Sequence, residues 1–274
     1  MIDAKKIGPI PQIGYGTWKR SGKEAYDCVT CALETGYRHI DTAEAYNNEE
    51  FVGKAIADSG IARSEIFITT KVSPESFGPG QIMPHVKISL EKLRVPKVDL
   101  LLLHWQSIKD QYDITDYMAQ FAAVYDAGLA SFIGVSNFTK KYLDRALQLL
   151  GNRKLSTNQC EIHVFLQNRI IVDYSQSKGI PMIAYSPLAR GTVSQSPELQ
   201  KIAAAHGANA EQVALAFLMA EGHVVIPSSS KPARIKSNFA AKDLSLTTSD
   251  VMQIRKLDEG RRLVNGSWAP VWDS

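Results

Sequence analysis

Residues 36–46 read Gly36-Tyr37-Arg38-His39-Ile40-Asp41-Thr42-Ala43-Glu44-Ala45-Tyr46, and this segment decides the fold. Residues 37–41 predict a short strand and residues 42–48 a loop, because helical periodicity begins only near Glu49. Asp41 and Tyr46 then lie just beyond the carboxyl end of a strand. In parallel α/β folds, and above all in barrels of eight strands and eight helices, that end carries the ligand site.

Two later strands also end in titratable side chains. Residues 66–71 form an apolar, β-branched run that ends in Lys71, and residues 98–104 form a second apolar run that ends in His104. A continuous apolar run of this kind predicts a strand that is buried on both faces. Because parallel strands end at the same edge of a sheet, we expect these two groups to converge with the carboxylate and the phenol of the first segment.

Alternating strand and helix patterns predict an α/β fold, a (β/α)8 TIM barrel that residues 1–274 form as one domain. A length of 274 residues would also suit two domains, but no linker or internal repeat divides the chain. The eight predicted strands cover residues 13–17, 37–41, 66–71, 98–104, 132–135, 155–161, 181–185 and 224–227. Helices are predicted at residues 24–34, 49–59, 82–93 and 118–125 and from about residues 209 and 232, with a long connection between Tyr185 and Asn209.

An extra helix at residues 247–256 and a tail from Asp258 are predicted after the barrel. The tail carries Trp268 and Trp272 in an otherwise polar sequence. Large apolar side chains of this kind are usually buried against another part of the protein. We therefore expect the tail to fold back across the mouth of the barrel.

The composition is that of an ordinary globular protein. Hydrophobic residues make up 45% and charged residues 22% of the chain, which suffices for a sizeable core. The net charge of +3 is spread along the sequence and gives no support to a nucleic-acid or membrane partner. No apolar run of about 18 residues occurs, and the first residues lack the apolar segment of a signal peptide. We therefore expect a cytoplasmic protein, and a monomer because no exposed apolar helix stands out.

Cysteine and histidine spacing predicts no metal site. Three cysteines argue against a disulfide framework, and the pair Cys28 and Cys31 lies inside a predicted helix without a second pair to complete a zinc site. The six histidines show no H-x-H or H-E-x-x-H spacing. No G-x-G-x-x-G segment opens a βαβ unit, so a Rossmann-type dinucleotide site is not indicated either.

Each of the four strand-end residues, taken alone, also has a structural explanation. Asp41 and Lys71 could form a structural ion pair, His104 could be a core histidine, and Tyr46 could be an aromatic residue at the rim. Together, however, they resemble the aldo-keto reductase family, whose members carry Asp, Tyr, Lys and His at matching strand ends. The resemblance continues through most of the chain, at residues 14–18, 134–138, 158–161, 184–188 and 226–229.

Within this family, residues 226–229 and the ending at residues 262–273 look most like bacterial 2,5-diketo-gluconate reductases of the B type, which also reduce methylglyoxal-like dicarbonyls. The resemblance implies an oxidoreductase that uses NADPH to reduce a small-molecule carbonyl substrate, either an aldehyde, an α-dicarbonyl or a keto-sugar. Two alternatives are a regulatory protein that kept the fold and the cofactor without turnover, and a metal-dependent barrel hydrolase.

The resemblance makes Tyr46 the proton donor. An ordinary phenol has a pKa of about 10 and releases its proton too slowly for efficient work near neutrality. An ammonium about 4 Å away contributes roughly 4 kcal/mol at an effective dielectric near 20, so we expect Lys71 to lower the pKa of Tyr46. Asp41 would hold Lys71 in place, and His104 would orient the carbonyl oxygen.

The remaining site residues follow from the same resemblance. Those implied to bind the cofactor are Gly16, Thr17, Ser136, Asn137, Gln159, Tyr185, Ser186, Leu188, Ser228, Ser229, Arg234 and Asn238. Those implied to wall the substrate pocket are Trp18, Trp105 and Trp268. From spacing alone, Ser136 and Asn137 could equally cap the following helix.

The substrate pocket departs from the family pattern at Ser73, where many members have a tryptophan. The smaller hydroxyl predicts a more open and more polar pocket. Phe77 could compensate for the missing ring, or residues 76–80 could form a mobile surface loop.

In the family that the sequence resembles, the segment matching residues 226–238 grips the adenosine 2′-phosphate, and this chain departs from the family pattern there twice. Ser228 replaces a lysine, and Ser237 replaces a glutamate. Arg234 remains, with Lys231 as a partial substitute for the lost charge. Because a guanidinium suits phosphate better than an ammonium does, NADPH is still expected over NADH.

Overall fold

The structure, a computed structural model, describes residues 5–273. Two short strands form an antiparallel hairpin, and eight further strands form one parallel sheet in which each strand pairs with the next in sequence. The hairpin strands are β1 (Lys6–Ile7) and β2 (Ile10–Pro11). The sheet strands are β3 (Tyr15–Gly16), β4 (His39–Asp41), β5 (Phe67–Val72), β6 (Val98–Leu103), β7 (Ala130–Ser136), β8 (Leu155–Glu161), β9 (Met182–Tyr185) and β10 (Val224–Val225).

Backbone hydrogen bonds between the first and last strands close this sheet into a barrel. The N–H of Gly14 donates to the carbonyl of Val225 at 2.8 Å, and the N–H of Gly16 donates to the carbonyl of Pro227 at 3.0 Å. Gly16 permits this approach, because a Cβ atom there would lie 2.9 Å from the carbonyl oxygen of Ile226. The predicted (β/α)8 barrel is confirmed.

Ten helices surround the barrel in the described part of the chain. They are α1 (Gly22–Thr35), α2 (Glu49–Asp58), α3 (Ile82–Leu93), α4 (Ile114–Asp126), α5 (Lys140–Leu150), α6 (Arg169–Ser177), α7 (Pro197–Ala205), α8 (Ala210–Ala220), α9 (Pro232–Ala240) and α10 (Thr248–Arg255). Helix α1 shows why they form, because its buried residues recur on one face and Gly36 ends it in the left-handed conformation, with φ of 116°. The extra helix predicted after the barrel is α10.

Buried side chains form two clusters, one between the sheet and the helices and one inside the barrel. The inner cluster combines residues of four sheet strands with Ile10 from the hairpin. The members of this inner cluster are Ile10, Phe67, Leu100, Leu102, Ile183, Val224 and Ile226. The hairpin turn, residues 7–9, lies beside Lys154, Pro181 and Gly222, each just before a strand begins. The hairpin, which the sequence did not predict, therefore fills the amino-terminal end of the barrel and leaves the carboxyl end for the site.

One prediction of secondary structure is wrong. The long connection expected between Tyr185 and Asn209 contains a 3-10 segment, Ala189–Gln195, and helix α7. The Ser196 hydroxyl accepts the N–H of Leu199, and a proline at the first helical position starts the helix. Residues 42–48, predicted as a loop, include a single 3-10 turn, Glu44–Tyr46, which holds the phenol. Within residues 5–273, no helix has both the length and the apolar surface needed to span a bilayer.

Candidate active site

A cavity of about 820 Å³ opens at the carboxyl ends of the strands. Of the nineteen residues predicted for the site, all except Thr17 and Lys71 line it. Thr17 is completely buried behind the end of β3, where its backbone N–H donates to the carbonyl of Asp41 at 3.0 Å. Lys71 is also buried, and its ammonium lies behind Tyr46.

The charged centre of the site is the ion pair between Lys71 and Asp41. The ammonium lies 2.5 Å from Asp41 Oδ1 and donates to the carbonyl of Thr42 at 2.8 Å. The hydroxyl of Tyr46 is 3.4 Å from the same ammonium. The four predicted strand-end residues therefore include three that meet directly, and the pair is shielded from water, with side chains 0% and 2% exposed.

The predicted direction of the pKa shift of Tyr46 requires a correction. Burial raises the pKa of Tyr46 above its ordinary value, and the ammonium of Lys71, the largest opposing influence, does not reverse this. Burial also disfavours the charged form of Lys71, but Asp41 and Tyr46 outweigh it and raise the pKa of the lysine. Both side chains are thus held in their protonated forms, a neutral phenol beside an ammonium.

His104 follows β6 and faces the phenol across the cavity. Its ring centroid is 5.5 Å from that of Tyr46, with an edge-on geometry. Burial and then the nearby Lys71 lower the pKa of His104 to about 3. The imidazole is therefore neutral around pH 7 and can donate one hydrogen bond from its protonated nitrogen.

Polar groups at the ends of β7, β8 and β9 meet next to the ion pair and His104. Asn137 has a φ of 61°, a left-handed conformation that asparagine tolerates. Its Oδ1 accepts the hydroxyl of Tyr185 at 2.9 Å, and its Nδ2 donates to Ser136 Oγ at 3.0 Å. Gln159 Nε2 donates to Asp41 Oδ2 at 2.8 Å, which joins this amide cluster to the ion pair.

The far end of the cavity is formed by the segment after β10 and the start of α9. Ser228, Ser229, Arg234 and Asn238 line it, whereas Lys231 does not. Two buried tyrosines donate hydrogen bonds to backbone carbonyls of this segment. Tyr15 donates to the carbonyl of Ser229 at 2.7 Å, and Tyr37 donates to the carbonyl of Ile235 at 3.2 Å.

The mouth of the cavity is walled by three tryptophans, Trp18, Trp105 and Trp268. Trp272 packs on Trp105 with ring centroids 6.0 Å apart, so the tail does return to the mouth as predicted. Ser73 does not line the cavity, and its hydroxyl is bonded to Glu75. Phe77 does not replace the missing tryptophan, because it lies outside the cavity lining, is 1% exposed and stacks on Tyr117. It belongs to a turn before α3 in which Pro79 and Gly80 are exposed.

Sequence reasoning missed several charged and polar residues that line the cavity. They are Lys19, Arg20, Arg190, Asn209, Glu211 and Ser237. Lys19 and Arg20 directly follow Trp18, so their place after a strand end was a usable signal. Asn209 and Gln212 form a capping box at the start of α8, and Asn209 Nδ2 also donates to Ser237 Oγ at 2.9 Å. A contact between α8 and α9 of this kind leaves no trace in local sequence.

Comparison with known proteins gives a consistent assignment. The family model described as "Aldo/keto reductase family" matches residues 12–259. The chain is 41% identical over 265 residues to the methylglyoxal reductase DkgB of Escherichia coli O157:H7, covering 96% of this chain and 99% of that protein. The DkgB of Yersinia pestis is 40% identical with the same coverage.

Solved structures agree with the sequence comparisons. One described as a putative 2,5-diketo-D-gluconic acid reductase B superimposes with a TM-score of 0.91 at 36% identity, covering 97% of this chain and 94% of that one. An aldo/keto reductase from Brucella melitensis superimposes with a TM-score of 0.85 at 40% identity, covering 91% of this chain and 95% of that one.

Proposed function

Because the chain belongs to the aldo/keto reductase family, we propose that it reduces small aldehydes, α-dicarbonyls or keto-sugars to alcohols with NADPH and that Tyr46 donates the proton. The observation that carries this proposal is the buried Lys71–Asp41 pair with the Tyr46 hydroxyl 3.4 Å from the ammonium, at the base of a cavity large enough for a ligand.

The four strand-end residues divide the chemistry at the carbonyl group. When bound, the reduced nicotinamide supplies the hydride, which no side chain can provide. Tyr46 donates its hydroxyl proton to the carbonyl oxygen, and the neutral imidazole of His104 donates a hydrogen bond to the same oxygen. Lys71 stabilises the phenolate that Tyr46 leaves, and Asp41 keeps that ammonium ionised and fixed.

The protonation states found at the site suit a proton donor. A phenol with a raised pKa stays protonated at neutral pH, so the acid is ready in nearly every molecule. The ammonium then acts in the transition state, where negative charge develops on Tyr46 and an adjacent cation is most effective.

The polar groups of the cavity fit the two ends of a dinucleotide. Ser136, Asn137 and Gln159 offer the donors and acceptors that a nicotinamide carboxamide needs, and the ring of Tyr185 lies beside them. Arg234 with Ser228 and Ser229 lies at the far end, where α9 also begins.

The charge of the cavity favours an anionic ligand. Four cations line it, Lys19, Arg20, Arg190 and Arg234, against two carboxylates, Asp41 and Glu211. Two of these six charges are paired with residues outside the lining, Asp41 with Lys71 and Arg20 with Glu24, which leaves three cations against one carboxylate. An excess of fixed positive charge raises the local concentration of a phosphate-bearing ligand, as the cofactor is.

The experiment that tests this function replaces the acid alone. Tyr46→Phe keeps the ring and removes the hydroxyl, so we expect the rate of carbonyl reduction to fall at least about a hundredfold while the dissociation constant of NADPH changes less than about twofold. The matched control is Tyr26→Phe, which removes a hydroxyl bonded to Asp58 on the outer surface. Full turnover in Tyr46→Phe, or an equal loss in Tyr26→Phe, would rule out Tyr46 as the proton donor.

A further inference from the structure

Glu161 ends strand β8 two residues after Gln159 and has no part in the chemistry described above. Its side chain is 0% exposed. Oε1 accepts the backbone N–H of Leu263 at 2.7 Å, and Oε2 accepts the backbone N–H of Val264 at 2.9 Å. His163 Nε2 lies 3.1 Å from Oε1. A buried carboxylate, which would be unfavourable without partners, is thus satisfied largely by the C-terminal tail.

The ionised form of Glu161 is the form that suits this contact. Burial alone would raise the pKa of Glu161, but the hydrogen bonds from His163 and from the two tail N–H groups together outweigh it and lower the pKa. Two carboxylate oxygens also give each tail N–H an acceptor of its own, which a neutral side chain of the same shape cannot do.

The tail before this contact is bound to the loop that follows β8. The N–H groups of Glu259 and Arg261 both donate to the carbonyl of Phe165, at 3.1 and 3.0 Å. The N–H of Gln167 donates to Asp258 Oδ1 at 3.2 Å. Residues 258–264 therefore follow the rim of the barrel and arrive at the cavity beside Glu161.

The tail after this contact forms part of the wall of the cavity, and it is anchored again at its end, where Trp272 packs on Trp105 and Asp273 accepts the N–H of Lys140 at 2.9 Å. Val264 and Trp268 line the cavity. Trp268 is nevertheless 46% exposed, and Val271 is 96% exposed. Residues 264–271 thus run between two anchors, and the contact of Leu263 and Val264 with Glu161 is the one that lies next to the cavity wall.

We propose that Glu161 is a positioning residue for substrate recognition, which fixes the backbone of Leu263 and Val264 and thereby holds Val264 and Trp268 in the wall of the substrate pocket. The kinetic consequence rests on the proposed carbonyl reduction, whereas the contact between carboxylate and tail can be tested without it.

The test replaces Glu161 with glutamine in the full-length protein. Glu161→Gln turns one acceptor oxygen into an amide that faces an N–H donor, so one of the two charge-assisted bonds is lost. We expect tryptic cleavage after Arg261 and Arg262 to accelerate at least about tenfold, the change that corresponds to one such bond when opening is fast. The KM of a carbonyl substrate should rise at least about fivefold, with kcat and the dissociation constant of NADPH changed less than about twofold.

A matched control separates the tail contact from a general loss of stability. Glu221 is another mostly buried carboxylate, 6% exposed, whose partners are Arg169 and Arg255 and not the tail. Glu221→Gln should leave both the cleavage rate and KM as in the wild type. Equal changes in the two variants, or no change in cleavage in Glu161→Gln, would overturn the proposal.

A second pair of variants serves if Glu161→Gln does not fold. Leu263→Pro removes one N–H donor and leaves the carboxylate in place, whereas Leu263→Ala shortens the same side chain and keeps the donor. The proposal requires faster cleavage after Arg261 and a higher KM in the proline variant than in the alanine variant, and equal behaviour would refute it. Cleavage after Arg262 is left out of this comparison, because trypsin does not cut before proline. If the wild-type protein reduces no carbonyl compound, the proposed function is refuted. The role of Glu161 is then tested by the cleavage rates alone.

Discussion

Arg234 is the residue on which we expect the choice between the two nicotinamide cofactors to depend. It lines the far end of the cavity beside the hydroxyls of Ser228 and Ser229, and Ser228 stands where the family resemblance led us to expect a lysine. A charge-assisted contact to phosphate is worth roughly 1.5–3 kcal/mol, which exceeds the 1.4 kcal/mol or so that makes a tenfold difference in affinity. We therefore expect one guanidinium to be enough to favour NADPH.

The corresponding prediction is that Arg234→Met weakens NADPH binding at least about tenfold and leaves NADH binding nearly unchanged. Fluorescence titration of the purified variant with each cofactor measures both constants. Lys236→Met is the matched control, because Lys236 lies on the same helix but outside the cavity lining. Equal weakening of both cofactors, or an equal effect of the control, would remove Arg234 from the phosphate site.

At the residue scale, the sequence predicted which groups meet but not how their charges balance. The sequence predicted that four residues lie close together, because each of them ends or follows a strand: Asp41, Tyr46, Lys71 and His104. The net rise in the pKa of Tyr46 was missed, since it depends on how much of the barrel surrounds the hydroxyl, and a sequence carries no measure of that depth.

At the scale of elements, helices α2 and α3 pack closely at Gly53. A Cβ atom at that position would lie 2.5 Å from the carbonyl oxygen of Lys92 and 2.6 Å from the backbone of Leu93. These are backbone atoms that cannot rotate away. The buried carboxylate of Glu49 adds to the junction, because it accepts hydrogen bonds from Thr70 at 2.6 Å and Ser89 at 3.1 Å.

We therefore predict that Gly53→Ala lowers the free energy of unfolding by about 1–3 kcal/mol, the usual range for overpacking. Helix propensity alone would raise the free energy of unfolding by up to about 1 kcal/mol, so the sign of the measured change distinguishes the two effects. Urea denaturation measures the difference. Gly78→Ala is the control, because the nearest atom to a Cβ there is 3.5 Å away. A Gly53→Ala protein as stable as the wild type would show that the helices can separate without loss.

The elements themselves were mostly predictable where an apolar pattern met a clear stop signal. Helix α3 has the predicted bounds, and β8 does as well. Helix α7 was missed although Ser196 and a following proline mark its start, because the interpretation placed one long connection before the capping box of α8. Gly53 was not singled out, since only the packed structure reveals which glycine faces a neighbouring backbone.

The barrel as a whole could be predicted from the repeated strand and helix patterns, whereas the contacts of the segments that cover its two ends could not. Eight strand patterns separated by helices predict a closed parallel sheet with little ambiguity. The hairpin that fills one end and the tail that borders the other make contacts across more than a hundred residues, such as those between Glu161 and Val264. Contacts of this range depend on the finished fold.

The finished fold also buries His39 and His223, neither of which lines the cavity. His39 is 0% exposed and lies 3.0 Å from Thr69 Oγ1, and His223 is 2% exposed. Burial lowers the pKa of each to about 4. In the unfolded chain an ordinary histidine has a pKa of about 6.5. Between these two values the unfolded state binds protons that the folded state does not.

Stability should therefore rise with pH through this window and fall as the solution is acidified. Each histidine contributes about 1.4 kcal/mol per pH unit below pH 6.5 or so, which amounts to roughly 2 kcal/mol each by about pH 5. We predict that the urea midpoint drops steeply between about pH 7 and pH 5, and that His39→Gln shows a shallower drop than the wild type. Gly53→Ala, which is expected to lower stability without removing a titrating group, should keep the wild-type slope. A slope that His39→Gln leaves unchanged would mean that His39 is protonated in the folded barrel as easily as in water.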